Sequence, residues 1–488
     1  MQKHLLPLAL LIFVLVSCTG NTPNAPALSP EQLEAAYQKY KEPSLSHRKF
    51  THQDMLPLIE KRSERFKKKA LGASIQGREI YQLAYGEGTT TVMLWSQMHG
   101  NESTATMALF DLFNFLEGDN DAFVGLRTLL RETLDLRFIP MVNPDGAEVF
   151  QRRNSLDIDL NRDALHGTTS EASILKAARE EFQPAFGFNL HDQQIYYNAK
   201  GTAKPATISV LAPAYNEGKD INDVRKKSMQ LIVGMNQVLQ QVVPGHVGKY
   251  DDAFEPRAFG DNFQKWGTST ILIESGGYPN DPEKQFIRQL NFMIILNALY
   301  EIATQNYHQY QVEDYFAIPD NDNKLMDLII RKVQVAHQEH LFEVDLGIKQ
   351  QEVRIDSSYR LSSSIVDKGD LSVFYGYKEI DATGMVYEEG KIFEKAYDTV
   401  DELNVQEALE LLKEGYLAVR VNGEEKGRLH QLPLVVTTDE KAYRTGHELG
   451  RPANFLLRKD NDLLYAIING HVINLKNPSL QFPLQYVF

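Results

Sequence analysis

Residues 91–117 have the sequence TVMLWSQMHGNESTATMALFDLFNFLE, in which a short polar stretch separates an apolar run from an amphipathic one. Thr91 to Gln97 is short and apolar, which predicts a buried β-strand. Ser103 to Glu117 has apolar residues at helical spacing, which predicts a helix packed against that strand. The polar residues between the two elements therefore lie at the carboxyl end of a strand, where α/β sheets place their functional groups.

The same alternation of strands and helices continues to about residue 318. The predicted helices are Glu31 to Tyr40, Met55 to Lys69, Ser103 to Glu117, Thr169 to Glu181, Asn216 to Gln241 and Asp281 to Thr304, and the predicted strands are Glu79 to Tyr85, Thr91 to Gln97, Leu134 to Val142, Ala185 to Leu190 and Ser269 to Glu274. This order predicts an α/β fold with a largely parallel sheet covered by helices on both faces. Beyond Ile318-Pro319-Asp320, short β-rich segments dominate and only Val405 to Glu414 is clearly helical, so we expect a second unit over residues 319–488.

The composition agrees with two globular units. The chain has 488 residues, 43% hydrophobic and 24% charged, which excludes a disordered or collagenous chain. Its net charge is −14, so no basic surface for nucleic acid is expected. A single cysteine excludes an intramolecular disulfide.

The first residues have the pattern of a secretory signal. A short positive start is followed by an apolar run from Leu5 to Val16, which is too short to span a bilayer, since a spanning helix needs ~20 residues. The only cysteine, Cys18, closes Leu15-Val16-Ser17-Cys18, which resembles a bacterial lipobox. We therefore expect a signal peptide over residues 1–17, lipidation at Cys18, a tether and helix over residues 18–48, and a membrane-anchored protein of the cell envelope. The alternative is an ordinary signal peptide that contains a cysteine.

Polar groups follow four separate apolar strands. His99 and Glu102 follow the first, Asn143-Pro-Asp-Gly146 the second, His191 the third, and Glu274 ends the fourth. Because the carboxyl ends of parallel strands share one edge of a sheet, these groups can converge there. A catalytic zinc site takes three such protein ligands and leaves a fourth position open for water.

The His-x-x-Glu spacing alone is weak, because it also occurs at His340 and Glu343 in the β-rich second unit. A strand places residues three apart on opposite faces, so we interpret His340 as structural.

The combined motifs resemble the M14 zinc carboxypeptidase family over roughly residues 50–310. The matching elements, in family order, are His99-Gly-Asn-Glu102, Asn143-Pro-Asp-Gly146, Arg152-x-Asn154, Asp159-Leu-Asn161-Arg162, His191 and Glu274. The resemblance implies an α/β domain over residues 49–318, built on a mixed eight-stranded sheet, with one zinc ion as cofactor.

The resemblance also implies a role for each matching residue. His99, Glu102 and His191 match the zinc ligands, and Asp159 matches the acceptor that fixes the ring of the first histidine. Glu274 matches the general base, and Arg152 matches the group that stabilises the oxyanion. Asn161 and Arg162 match the pair that binds the terminal carboxylate of a peptide, which would make the enzyme an exopeptidase.

Several neighbouring residues have a more ordinary interpretation. Arg153 could replace Arg152, but the family places Arg two residues before Asn. Asp145 is expected to be a turn residue and His166 a loop residue.

Tyr250 is the nearest candidate for the substrate-capping tyrosine of the family, although its spacing from Glu274 is not a clean match. The stretch from Tyr250 to Trp266 should line the specificity pocket. It carries both acidic residues and an arginine, so its composition does not indicate which substrate side chain is preferred.

The second unit contains no cluster of metal ligands in its sequence. Five of its segments are similar to the small composite β-sandwich of amidohydrolases: Asp327 to Arg331, Val344 to Lys349, Ile380 to Gly384, Pro452 to Leu457 and Ile468 to Val472. The paired His-x-His motif of that family is absent. We therefore expect a non-catalytic β-sandwich that packs on the first unit or shapes its cleft; an unrelated β domain is the alternative.

Three functions remain open from the sequence. The leading hypothesis is a zinc metallocarboxypeptidase of the cell envelope that acts on peptides with a free C-terminal carboxylate. An N-acyl amino acid deacylase or amidase on the same fold is the second, and a catalytically inactive binding lipoprotein is the third. The Asn143-Pro-Asp-Gly146 element and the Arg152-x-Asn154 spacing favour the peptidase.

Overall fold

The computed structural model describes residues 25–355 and 358–488. The predicted signal peptide and Cys18 lie outside the described residues. In the first region, residues 25–318, the helices are α1 Pro30–Tyr40, α2 His52–Glu60, α3 Thr104–Glu117, α4 Val124–Thr133, α5 Pro144–Glu148, α6 Ser170–Phe182, α7 Asp223–Val242, α8 Phe259–Lys265, α9 Gln285–Thr304 and α10 Val312–Phe316. Its strands are β1 Lys67–Ala73, β2 Glu79–Tyr85, β3 Thr90–Ser96, β4 Leu134–Ile139, β5 Phe186–Asp192, β6 Asn198–Ala199, β7 Ile208–Leu211, β8 Val247–Lys249 and β9 Ser269–Ser275.

Eight of these strands form one mixed sheet in the order β1-β2-β4-β3-β5-β9-β7-β8. The central strands β4, β3, β5 and β9 are parallel, whereas β2 and β7 run antiparallel to their inner neighbours. The sheet confirms the mixed eight-stranded α/β fold that the resemblance implied.

Helices cover both faces of this sheet, as strand β3 shows. Val92 and Leu94 pack into a core shared with α3, α7 and α9, while Met93 and Trp95 pack into a core shared with α6 and α8. All four side chains are fully buried. A strand that alternates between two apolar layers needs no polar face, which explains the continuous apolar run.

The start of the described chain is part of the first region. Leu33, Ala36 and Tyr37 of α1 are buried in the same core as α3 and α9. The carbonyls of Ala25 and Pro26 accept hydrogen bonds from Asn306 and Tyr300. The described part of the predicted tether is therefore bound to the folded region.

The predicted helix from Met55 to Lys69 is wrong in its second half. Helix α2 ends at Glu60, and Lys67–Ala73 forms β1 at the edge of the sheet. The three lysines 67–69 are exposed there. Lysine-rich edge strands are favoured because they discourage pairing with other chains, and such a strand lacks the apolar pattern that would identify it in sequence.

Two long helices also begin later than predicted. Helix α7 begins at Asp223, because the Asn222 side chain accepts from Arg225 N and caps the helix. Helix α9 begins at Gln285, because the Asp281 carboxylate accepts the backbone N–H groups of residues 285–287.

The second region, residues 319–488, is β-rich as predicted. Its elements are β10 Asn321–Asp322, β11 Leu325–His337, β12 His340–Ile355, β13 Ser358–Gly369, β14 Tyr375–Asp381, β15 Val386–Glu388, β16 Lys391–Tyr397, α11 Val405–Lys413, β17 Tyr416–Val421, β18 Leu429–His430, β19 Val435–Thr437, β20 Phe455–Lys459, β21 Asp462–Ile468, β22 His471–Asn474 and β23 Gln485–Tyr486. Strands β11, β12 and β13 are long rather than short, and they belong to one eight-stranded sheet with β14, β15 and β20–β22.

Strands β20 and β21 have two buried faces. Phe455, Leu457 and Ile467 pack against strands β11–β13, while Leu456 and Ala466 face a second core. That second core is covered by helix α11 and the three-stranded parallel sheet β16-β17-β19 rather than by a second antiparallel sheet. The likeness to amidohydrolases stays a prediction.

The two regions share a hydrogen-bonded boundary. Strand β10 pairs with β6 of the first region, and Tyr196 and Tyr377 reach across to the opposite region. Within residues 25–355 and 358–488, helices are too short or too polar to cross a membrane.

Candidate active site

The four strand-end groups converge as the sequence predicts. His99 follows β3, Glu102 precedes α3, and His191 and Glu274 face each other in register on the neighbouring strands β5 and β9. The backbone turn at Gly100 lies so close to Gly146 that a side chain at residue 100 would place its Cβ 2.0 Å from the Gly146 carbonyl carbon. This close approach is a physical reason for glycine at residue 100.

His99, Glu102 and His191 form a compact, buried donor set. His99 Nδ1 lies 2.8 Å from Glu102 Oε1, and His191 Nδ1 lies 2.7 Å from Glu102 Oε2. The two Nδ1 atoms are 3.2 Å apart. Among the described residues this is the one group of three or more His, Cys, Asp or Glu side chains that brings its ligand atoms within 4.8 Å.

This donor set fits a metal ion. Asp159 Oδ1 lies 3.0 Å from His99 Nε2, so the ring donates its proton there and turns the lone pair of Nδ1 toward His191. Two imidazole nitrogens at this separation repel each other unless a cation or a proton lies between them. Two histidines and one carboxylate are also a ligand set of catalytic zinc sites.

Asp159 is held in its charged form. Burial alone would raise the pKa of its carboxyl, but the hydrogen bond with His99 and the Arg152 guanidinium lower that pKa below its ordinary value. The predicted role of Asp159 as the acceptor for His99 therefore agrees with its geometry.

Glu274 is a buried carboxylate beside the donor set. Burial raises its pKa well above the ordinary value, and the charges of Glu102 and Asp192 raise it further. A carboxyl with a raised pKa beside a candidate metal site has the properties of a general base or acid.

Arg152 lies directly against this cluster. Its Nη1 is 3.1 Å from Glu102 Oε1, and its Nε and Nη2 donate to Asp159 Oδ2 at 3.1 and 3.0 Å. Arg153, the alternative from the sequence, is exposed and donates to the Asp157 carbonyl. Of the two arginines, Arg152 therefore lies beside the donor set, and its role stays a prediction.

The predicted carboxylate clamp lines the same cavity. Asn161 lines the cavity, and its Oδ1 accepts from Phe259 N at 2.9 Å. Arg162 is partly exposed and lies 3.3 Å from Glu255. Glu255 also pairs with Arg257, whose guanidinium lowers the pKa of the Glu255 carboxyl.

The cavity has a volume of about 370 Å³ and extends from the donor set to Asp261. Tyr250 lines it, and its ring meets that of Tyr197 in an edge-to-face contact with centroids 6.0 Å apart. Burial, and then the nearby Glu274 carboxyl, raises the pKa of the Tyr250 hydroxyl. At the far end, burial raises the pKa of Asp261 to about 7.

The remaining candidates lie outside the donor set. Asp145 is buried and accepts from Ser74 and Arg78, so it binds neighbouring protein groups. His166 is exposed, and His340 lies on strand β12 of the second region.

Sequence reasoning missed Asp192, Tyr197 and Lys284. Asp192 and Tyr197 line the cavity, and Lys284 is a buried cation bound to Asp192 at 2.9 Å. The position of Asp192 directly after His191 was the one available signal in the sequence. Lys284 stands within the stretch predicted as a helix, where nothing in the local pattern distinguishes it.

The donor set at the carboxyl ends of the parallel central strands, with a buried carboxylate beside it, is an arrangement typical of a metal-dependent hydrolase domain. Comparisons with known proteins agree with this class. Residues 52–203 match the zinc carboxypeptidase family Peptidase_M14. The matched segment lies within the first region, which is therefore similar to zinc carboxypeptidases over these residues.

Individual relatives are distant. A probable carboxypeptidase 2 of Trichophyton verrucosum is 25% identical over 189 residues, which is 38% of this chain and 33% of that protein. Carboxypeptidase 2 of Trichophyton rubrum is 30% identical over 101 residues, 21% of this chain and 18% of that protein. The chain thus spans a third or less of the length of these relatives. A solved metallo-carboxypeptidase from Burkholderia cenocepacia has 15% identity and a TM-score of 0.43, covering 53% of this chain and 70% of that one.

Proposed function

We propose that the protein is a zinc-dependent metallocarboxypeptidase that hydrolyses the C-terminal peptide bond of its substrate and holds one zinc ion. The observation that carries the proposal is the convergence of His99, Glu102 and His191 beside Glu274. The family match over residues 52–203 supports the same activity.

His99, Glu102 and His191 would hold the zinc. When bound, zinc lowers the pKa of a water molecule and polarises the scissile carbonyl. Glu274 accepts the proton of the attacking water and passes it to the leaving amine, which a buried carboxyl with a raised pKa favours. Asp159 keeps the His99 ring in one orientation during these steps.

Arg152 and the clamp bind the charges of the substrate. The Arg152 guanidinium lies beside Glu102, close enough to the cluster to donate to the oxygen that becomes negative in the transition state. Asn161 and Arg162 bind the terminal carboxylate of the peptide, since a planar guanidinium fits a carboxylate with two hydrogen bonds. Arg162 now faces Glu255, which the substrate carboxylate displaces.

The test compares the same peptides with a free and an amidated C-terminus, with and without a chelator. Arg162→Ala should lower kcat/KM on free-acid peptides about 10- to 100-fold. This effect is near the lower end of the range for losing one partner of a charged hydrogen-bonded pair, because Arg162 is partly exposed. Arg153→Ala is the matched control, because its guanidinium binds the Asp157 carbonyl instead. Equal cleavage of amidated peptides would exclude an exopeptidase.

The two other functions from the sequence give different results in this test. An N-acyl amino acid deacylase would release an acid from acylated amino acids and leave longer peptides intact. An inactive binding protein would purify without stoichiometric zinc and cleave neither class.

We also propose that the protein is a lipoprotein of the cell envelope, anchored by a lipid on Cys18. The described chain is bound to the first region from Ala25 onward, which leaves residues 19–24 as the connection. Six residues reach at most about 20–25 Å, so α1 would lie close to the membrane surface. Labelled palmitate should enter the parent protein and not a Cys18→Ser variant; an unlabelled parent would refute the anchor.

A further inference from the structure

The loop of residues 192–197 has two functional sides. Its Asp192, Gln193 and Tyr197 line the cavity beside the donor set. Its Ile195 and Tyr196 instead contact the second region. Because the loop follows His191 directly and lines the cavity, a contact on its outer side affects the position of one wall of the active site.

The outer side of this loop is bound by two tyrosine contacts. Tyr377 of the second region donates its hydroxyl proton to the Ile195 carbonyl at 2.5 Å. The Tyr196 hydroxyl lies 2.6 Å from both Asp327 Oδ2 and the Gln350 carbonyl oxygen. All three partners belong to the second region, so this loop is held from outside the first region.

Strand β8, which directly precedes Tyr250, is bound in the same way. Lys249 N donates to the Pro319 carbonyl at 2.6 Å, and Lys249 Nζ lies 2.8 Å from Asp320 Oδ1. Asn321 Oδ1 occupies the place of a side chain at Gly248, 1.9 Å from the position where a Cβ would stand. Strand β8 therefore fits tightly against the start of the second region.

Asn321 connects the two bound segments. Its Nδ2 donates to Gln193 Oε1 at 2.9 Å, while its Oδ1 accepts from Ser209 Oγ at 2.8 Å. Strand β10, which contains Asn321, pairs with β6 immediately after Tyr197.

The loop that follows Glu274 meets the same tyrosine. A side chain at Gly277 would place its Cβ 2.3 Å from Tyr377 Oη, so this glycine allows the loop to rest against Tyr377. Three cavity walls, those carrying His191, Tyr250 and Glu274, thus contact residues beyond the domain boundary.

We propose that the second region is a positioning part of the active site. Through Tyr377, Asp327 and Asn321 it fixes the 192–197 loop and strand β8, so that Tyr197 and Tyr250 form a rigid wall over the peptide. The inference rests on the proposed carboxypeptidase function. It places none of these residues in contact with the reacting atoms, and it gives the second region a role in substrate binding rather than in metal binding.

The test uses the full-length, zinc-loaded protein and the variant Tyr377→Phe, which removes one hydroxyl and keeps the ring. KM should rise about fivefold, the equivalent of one lost hydrogen bond, with kcat and zinc content unchanged. Tyr443→Phe is the matched control, because it removes a hydroxyl from the Gly390 carbonyl elsewhere in the second region. A KM no higher than that of the control would overturn the proposal.

A second measurement separates positioning from general stability. In a Tyr197→Ala background, Tyr377→Phe should have no further effect on KM, because the wall that it positions is already removed. If Tyr377→Phe raises KM by the same factor in that background, it does not act by positioning Tyr197, and the proposal is contradicted.

Amide hydrogen exchange gives a readout that needs no turnover. Tyr377→Phe should speed exchange in residues 192–197 and 247–250 relative to Tyr443→Phe. If the parent cleaves no peptide while this exchange rises, the proposed function fails and the positioning role stands. If exchange is unchanged, the positioning role fails whatever the activity.

Discussion

Lys284 and Asp192 form a buried ion pair beside the cavity, and breaking it should destabilise the first region. Lys284 Nζ lies 2.9 Å from Asp192 Oδ2 and donates to the Ser275 carbonyl at 2.9 Å. Thr104 also donates to Asp192. The pair therefore joins three segments, those beside Glu102, His191 and Glu274.

The expected magnitude follows from burial. Both side chains are 8% exposed, so Lys284→Met leaves the Asp192 carboxylate with little solvent and one hydroxyl donor. Removing one partner of a buried pair typically costs about 3–5 kcal/mol of unfolding free energy, whereas replacing both is often close to neutral. We expect Lys284→Met to cost about 3–5 kcal/mol, and Lys284→Met with Asp192→Asn to cost about 2–4 kcal/mol less than the sum of the two single changes.

The assay is urea unfolding followed by tryptophan fluorescence, with zinc content measured for each variant. The chain has two tryptophans, Trp95 and Trp266, and both lie in the first region, so the signal reports on this region alone. A coupling below about 0.5 kcal/mol between the two substitutions would refute the reasoning, because independent sites add within that margin.

Two further predictions concern a catalytic group and a buried histidine. Glu274→Gln should keep stoichiometric zinc and lower kcat about 10²- to 10⁴-fold, the usual contribution of a general base, and a kcat within tenfold of the parent would remove Glu274 from the mechanism. Burial lowers the pKa of His430 to about 4, so the folded state loses stability as the pH falls from about 6.5 toward 4. Between pH 7 and pH 5 the free energy of unfolding of the parent should fall by about 2 kcal/mol more than that of His430→Asn. The asparagine amide oxygen can still accept from Leu432 N but does not titrate. Denaturation followed by circular dichroism measures both values, and equal losses would contradict the assignment.

The two histidines of the donor set and the neighbouring Glu274 could be predicted because they stand at the ends of apolar strands. His99 lies three residues after the end of β3, and His191 and Glu274 are the second-to-last residues of β5 and β9. Parallel strands then bring these ends together whatever the length of chain between them. The family motifs added the roles, which the strand pattern alone does not contain.

The contacts that hold the site in place could not be predicted in this way. Tyr196 and Asp327 are 131 residues apart, and Tyr377 and Ile195 are 182 apart. Each contact joins two regions whose local patterns are independent of each other. Neither helical nor strand periodicity carries information about which tyrosine of one region meets which carbonyl of the other.

The same distinction explains why chain spacing was a poor guide to Tyr250. Tyr250 follows strand β8, and it is separated from Glu274 by helix α8 and by its flanking loops. The number of residues in that connection can change without moving either strand, because loops tolerate insertions at little cost. The sheet order β9-β7-β8 and the contacts of Lys249 with Pro319 and Asp320 determine where Tyr250 lies. A tyrosine with perfect spacing on an unsupported loop would therefore be a weaker candidate for substrate capping than Tyr250, which directly follows a strand held on one side by the sheet and on the other by the second region.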